Sequence, residues 1–156
     1  MVQDIVTKTI IFKLDQQEFG ASIAQIRSIE RLEEIVPIPQ TSEFIKGIIN
    51  LRGSVTPIID LRTRLGLEQT ETDDQTRILI ANVRDVQVGF IVDEATDVLD
   101  IDTERIDEAP ELVQHIDYRY LKGVAKIEDR GMILLLDLDQ VLTVQEADEV
   151  QQVVED

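Results

Sequence analysis

The stretch Phe44-Ile45-Lys46-Gly47-Ile48-Ile49-Asn50-Leu51-Arg52-Gly53-Ser54-Val55-Thr56-Pro57-Ile58-Ile59-Asp60-Leu61-Arg62-Thr63-Arg64-Leu65 decides how the rest of the chain is read. Ile48 to Leu51 reads as a strand, Arg52-Gly53 as a tight turn, and Ser54 to Ile59 as the returning strand. Asp60 is placed to cap a short helix through Leu65, and Gly66 follows as its left-handed stop. Gly47, Asn50, Gly53, Pro57 and Asp60 are therefore expected to be framework. Between Thr41 and Gly66 stand four basic residues (Lys46, Arg52, Arg62, Arg64) against two acidic ones (Glu43, Asp60). That local excess of positive charge favours an interface or a structural role.

Upstream, Thr9 to Leu14 and Glu18 to Ile23 form a hairpin about Asp15-Gln16-Gln17. Ile23, Ile26, Ile29 and Leu32 recur at spacing three, which suits a helix, yet their β-branching suits a strand. The reading is a helical turn over Ser22 to Gln25, then a strand from Ile26 to Arg31. Val36-Pro37-Ile38-Pro39 excludes a helix interior. Thr41 or Ser42 is expected to cap a short helix over Ser42 to Lys46, ended by Gly47. Downstream, Glu68 to Gln75 is an acidic linker or long hairpin. Arg77 to Val83 and Val86 to Val92 are strands about Arg84-Asp85, and Val98 to Ile101 is extended. Asp102 to Asp117 is an exposed loop with one helical turn. Leu121 to Ile127 and Gly131 to Leu136 make another hairpin, and Asp137 or Asp139 caps a last helix. Residues 144–156 form an acidic tail, expected to be helical or mobile.

The chain repeats itself. A shift of 69 residues lays Leu14 on Val83, Phe19 on Val88, Gly20 on Gly89, Ile23 on Val92 and Ile29 on Val98. Ile45-Lys46-Gly47-Ile48 then matches Leu121-Lys122-Gly123-Val124, and, after one inserted residue, Ile58-Ile59-Asp60-Leu61 matches Leu135-Leu136-Asp137-Leu138. Glycine on glycine, Lys-Gly on Lys-Gly and Asp-Leu on Asp-Leu, in one order, make a duplication the better reading. Two small five-stranded barrels follow, about 8–66 and 77–143, able to exchange strands. Each alone would bury too little surface, so they should pack on a shared core.

That core must be aliphatic, since hydrophobic residues make up 43% of the 156 residues and aromatics 4%. A net charge of −17 argues against nucleic-acid binding and against adsorption on anionic lipid. It fits solubility through self-repulsion or a role with partners equally well. No cysteine, signal-peptide pattern or membrane-length apolar run is present, and a soluble cytoplasmic protein is expected. Catalytic groups are sparse. The single histidine, His115, lies beside Asp117 in a polar loop and reads as a solvated surface residue. No phosphate loop, nucleophile elbow or calcium loop occurs. Neither an enzyme nor a cofactor is expected, and binding is what remains. Arg52 is either an ordinary surface turn residue or a forked donor holding a carboxylate or backbone at an interface. Ile26, Ile29 and Val98 are either plain core or the lining of a cleft that receives an apolar helix.

The run from Phe44 to Arg62 closely resembles the signature of the bacterial chemotaxis coupling proteins, the CheW family. Phe19-Gly20, Ile26, Ile29, Val88 to Asp93, Val98-Leu99, Ala109-Pro110 and Tyr120-Leu121-Lys122-Gly123 extend the likeness over residues 8–143. The pattern is shared with the regulatory domain of the chemotaxis histidine kinase CheA and the coupling domain of CheV. The resemblance implies an all-β fold with a few short helices: two five-stranded SH3-like barrels with a cleft between them. It implies a non-enzymatic adaptor without cofactor, coupling methyl-accepting chemoreceptors to CheA in arrays at the inner face of the membrane. One barrel would dock on the kinase's regulatory domain, and the cleft would take the receptor's helical signalling tip. Arg52, Ile26, Ile29 and Val98 would carry that coupling. Some relatives place an acid at the position of Ser28 as partner for the arginine; here Glu30 is the substitute. The alternatives are a similar adaptor in a twitching or gene-regulatory pathway, and a small-ligand sensor using the cleft.

Overall fold

In the computed structural model, residues 6–39, 42–107 and 120–155 are described. Thr41, Ala109-Pro110, His115 and Asp117 lie outside them. Among the described residues, runs of β-branched and aliphatic side chains between tight turns build eleven strands. They are β1 (Val6–Leu14), β2 (Gln17–Ser22), β3 (Ile26–Arg31), β4 (Ile45–Leu51), β5 (Ser54–Asp60), β6 (Arg77–Val83), β7 (Val86–Val92), β8 (Glu94–Asp102), β9 (Ile106–Asp107), β10 (Leu121–Ile127) and β11 (Gly131–Leu136). Three short helices are described: α1 (Leu61–Leu65), α2 (Leu138–Val141) and α3 (Val144–Glu155).

The strands form a six-stranded sheet, β8-β1-β2-β11-β10-β9, and a five-stranded sheet, β3-β6-β7-β5-β4. Each sheet brings its edges together. In the first, β8 passes through a single 3-10 turn (Thr103–Arg105) into β9 at the far edge. In the second, the chain leaving β3 reaches Val36, which exchanges both backbone hydrogen bonds with Ile48 of β4 at 2.9 Å. Rolling a sheet in this way leaves few unpaired backbone groups exposed.

The duplication holds to the level of register. Ile29 stands opposite Leu79, and Val98 opposite Ile10. Ile58 lies beside Gly89 in a parallel pair, and Leu135 beside Gly20 in another. Bulges recur at matching places, between Ile45 and Gly47 and between Leu121 and Gly123. Asp60 caps α1 and its counterpart Asp137 caps α2. The repeats are interleaved in space: β1 and β2 sit in the sheet that holds β8 to β11, while β6 and β7 sit among β3 to β5.

Alternation along the strands sorts the aliphatic side chains into three clusters. Ile11, Ile101, Ala125, Ile133 and Leu135 fill one rolled sheet, and Ile49, Leu51, Ile58, Ile78 and Ile80 fill the other. Their neighbours Ile10, Phe12, Leu79, Ile59, Leu134 and Leu136 face the large cluster shared by both sheets. The helices close that shared core with Leu61, Leu65, Leu138, Val141, Ala147 and Val150.

Two expectations change, and of the two alternatives for the tail the helical one is taken. Ser42 to Lys46 is no helix: a single turn, with the Ile45 amide donating to Ser42 O at 3.0 Å, leads straight into β4. A helix that short has little stability of its own, and burying Phe44 and Ile45 in the shared core outweighs it. β8 starts at Glu94 rather than Val98, because β1 offers it a nine-residue edge across a bulge. Residues 144–155 form a docked helix, with Ala147 and Val150 buried against the sheets.

Candidate functional site

The Arg52 turn is built from two consecutive left-handed residues, Arg52 (φ 49°) and Gly53 (φ 89°), between the paired Leu51 and Ser54. Glycine supplies that conformation without steric cost, and arginine does not. Asn50 holds the turn from the side, its Oδ1 accepting the Gly53 amide at 2.8 Å. Arg52 is 73% exposed, and its Nη2 donates to Glu30 Oε1 at 3.2 Å and Oε2 at 3.4 Å. The Glu30 side chain is 15% exposed. The acid that stands in for one at Ser28 is thus two residues along β3, on a largely covered side chain, and the exposed arginine reaches across to it. The fold gains little from Arg52. Arg52→Gly removes an exposed ion pair and relieves a left-handed residue, so it should change unfolding free energy by less than about 1 kcal/mol. Urea denaturation measures this, and a loss above about 2 kcal/mol would make the arginine a structural residue.

The other basic residues of the island are tied into the framework. Arg62 is buried and grips Asp93 with both arms of its fork: Nε donates to Oδ1 at 2.8 Å and Nη2 donates to Oδ2. Its Nη1 donates to Glu68 O at 2.7 Å. Hydrogen bonding to Asp93, against the pull of burial, holds the guanidinium above its ordinary range. Burial alone would push the Asp93 carboxyl up, but the Arg62 hydrogen bonds, the Asp15 amide at 2.9 Å and the Arg62 charge outweigh it and hold it below the usual carboxylate range. Arg64 lies between the rings of Phe44 (4.9 Å) and Tyr120 (5.3 Å). Its Nε donates to Val141 O at 2.7 Å and its Nη2 to Glu146 Oε1 at 2.6 Å, which pins α3. Glu149 of α3 also accepts from the Ser42 amide and hydroxyl. Lys46 reaches Asp60 at 3.6 Å. Of these basic side chains Arg52 is therefore the one that stands mostly in solvent. The corresponding turn of the second repeat differs: Arg130 is clamped by Glu18 (2.8 Å) and Asp97 (2.7 Å), hydrogen bonds that hold it far above its ordinary range.

The framework residues have separate reasons. Asp60 is buried and accepts from the Arg62 amide at 3.1 Å and the Thr63 hydroxyl at 3.0 Å. Pro57 stands opposite Ile48, whose own amide and carbonyl are turned to Val36, so this strand pair needs no amide from Pro57. At Gly47 the backbone runs at φ +148°, close under Val36.

Ile26, Ile29 and Val98 separate. Ile26 is 8% exposed and belongs to the shared core, the first of the two alternatives its sequence context left open. The bulge between Ile26 and Ser28 is the reason: it puts Ile26 and Ile29, three residues apart, on one face of the strand. Directly opposed residues share a face, and Leu79 and Ile10, opposite Ile29 and Val98, are shared-core residues. Ile29 and Val98 therefore continue the shared core to its margin, where they remain 42% and 49% exposed. They are equivalent positions in the two repeats.

Among the described residues no cluster of acidic or imidazole groups could hold a metal ion. Depressions at Lys46–Asp60–Asp93 and at Thr9–Lys122–Leu135 hold about 70 and 60 Å3, room for a few water molecules. No described helix is long and apolar enough to cross a membrane. The surface offers a guanidinium held by Glu30 and a margin of exposed aliphatic groups, a combination suited to binding.

The chain can now be set beside known proteins. A family model described as the CheW-like domain matches residues 8–154, thus including α3. A chemotaxis protein CheW of Bacillus subtilis (strain 168) is 42% identical over 135 residues, covering 86% of each chain. One from Thermotoga maritima is 30% identical over 138 residues, covering 86% of this chain and 87% of that one. The crystal structure of the scaffolding protein TtCheW from Thermoanaerobacter tengcongensis superimposes with a TM-score of 0.82 at 33% identity, covering 92% of both chains.

Proposed function

The chain belongs to the CheW-like family of chemotaxis scaffolds, and from that premise we propose that it is a non-enzymatic adaptor coupling methyl-accepting chemoreceptors to the histidine kinase CheA. The observation that carries the reading is Arg52: a forked donor kept exposed on a left-handed turn that would accept glycine more easily, and pinned there by Glu30. Such a donor fits a carboxylate or a row of backbone carbonyls on a partner. Ile29 and Val98 supply the apolar surface for the helical receptor tip, and the kinase's regulatory domain docks on one rolled sheet. The adaptor works in the cytoplasm, held at the inner face of the membrane through the receptor array.

Arg52→Glu tests this. It places a second carboxylate beside Glu30 while leaving the sheets untouched. Binding to a receptor signalling-tip fragment or to the kinase's regulatory domain should weaken at least about tenfold, as removal of an interface arginine commonly does. Circular dichroism should stay unchanged. Unaltered affinity for both partners would sink the proposal.

A further inference from the structure

Cutting the chain between α1 and β6 separates the first repeat from the second in sequence but not in space. Of the nine strand pairings among the described residues, four join one half to the other: β1 with β8, β2 with β11, β3 with β6, and β5 with β7. The hairpin β1–β2 is the middle of the six-stranded sheet, and without it β8 has no neighbour. The hairpin β6–β7 is likewise the middle of the five-stranded sheet, and without it β3 has none. Side chains repeat the pattern. Arg62–Asp93, Arg64–Glu146 and Arg130–Glu18 each bridge the halves. The shared core draws on both. By contrast, residues 67–75 carry no helix or strand, and all but Leu67 are exposed.

We infer that the two half-chains, 6–66 and 76–155, are each other's folding partner, and that the matching half of a second copy of this chain serves as well as its own. The segment 67–75 acts as a strap. It raises the effective concentration of one half at the other, and its contacts include Glu68 O with Arg62 and Gln69 with Thr63 in the first half. Exchange of a half between copies re-forms each of those strand pairings and changes only the path of the strap from one half to the other, which is the circumstance in which swapping between protomers costs least.

A site for a specific protease inserted between Glu71 and Thr72 of the full-length chain tests this; the same site after Asp74 serves if the first insertion blocks folding. After complete cleavage both pieces should elute together as one 1:1 particle of single-chain mass, with the circular dichroism of the uncut chain. Two cleaved samples, one tagged on its first piece and one labelled with heavy nitrogen, are then unfolded together in urea and refolded. About half of the tagged pieces should carry a labelled partner, the statistical share for equivalent halves. Separation of the pieces on cleavage, a native spectrum from one piece alone, or recovery of tagged pieces without labelled partners would each overturn the inference.

Discussion

Gly47→Ala is expected to cost about 4 kcal/mol, a large part of the stability of a domain this size. A Cβ on residue 47 would lie 2.2 Å from the carbonyl oxygen of Val36 and 2.7 Å from its carbonyl carbon. Those atoms are backbone and cannot rotate away. Relief requires Val36 to leave Ile48, which opens the two hydrogen bonds that bring the edges of the five-stranded sheet together. The conformation itself, φ +148°, is one an L side chain avoids. Gly53→Ala provides the contrast: its φ is also positive, +89°, nearer the left-handed region, and no atom lies within 4 Å of the new Cβ. It should cost only about 1 kcal/mol, the left-handed penalty alone. Urea midpoints of the two variants separate close approach from conformational preference. A Gly47→Ala loss no greater than that of Gly53→Ala would show that Val36 yields freely.

That contrast bears on what a sequence can disclose. Strands β6, β7, β10 and β11 begin and end where alternation and turn residues place them, because hairpins are local and their signals lie within a few residues. The duplication was visible too, in Lys-Gly on Lys-Gly and Asp-Leu on Asp-Leu, while the bulges beside Gly47 and Gly123 were not. Which sheet each first hairpin joins was not. A repeat reads the same whether its hairpin packs on its own strands or on its neighbour's, since the choice rests on pairings between distant residues. Ile26 and Ile29 were indistinguishable for a related reason: spacing three suggests a helix, and only a bulge opposite Ala81 turns it into one face of a strand, deep at one end and marginal at the other. Within the site, Arg52 and its partner Glu30 were legible because the turn and the strand were. The sequence left Arg62 and Arg64 open between an interface and a structural role because the partners that decide it, Asp93 and Glu146, are 31 and 82 residues away. Pairing Phe44 with its repeat-mate Tyr120 was the available clue to Arg64, which lies between them.

The Arg62–Asp93 pair should show the other large effect, and a distinctive dependence on pH. Asp93 sits where the chain crosses from β7 in one sheet to β8 in the other, so the pair ties α1 to that crossover. Arg62→Ala leaves the Asp93 carboxylate half-buried with only the Asp15 amide, and it strips Glu68 O of its donor. Breaking one side of such a pair should cost about 3 kcal/mol at pH 7. Asp93 is held below the ordinary carboxylate range in the folded chain, so its contribution is complete above about pH 4 and is lost as pH falls through the folded value. Without Arg62, burial pushes the same carboxyl upward, and the variant's Asp93 takes up its proton earlier on acidification. The gap between the parent chain and Arg62→Ala should therefore narrow as pH drops through the acidic range. In a double-mutant cycle with Asp93→Asn, the coupling should shrink over that interval while the single substitution Asp93→Asn loses its own pH dependence. A coupling that stays constant from pH 7 to pH 3 would mean that packing of the arginine stem, rather than its charge, holds the crossover.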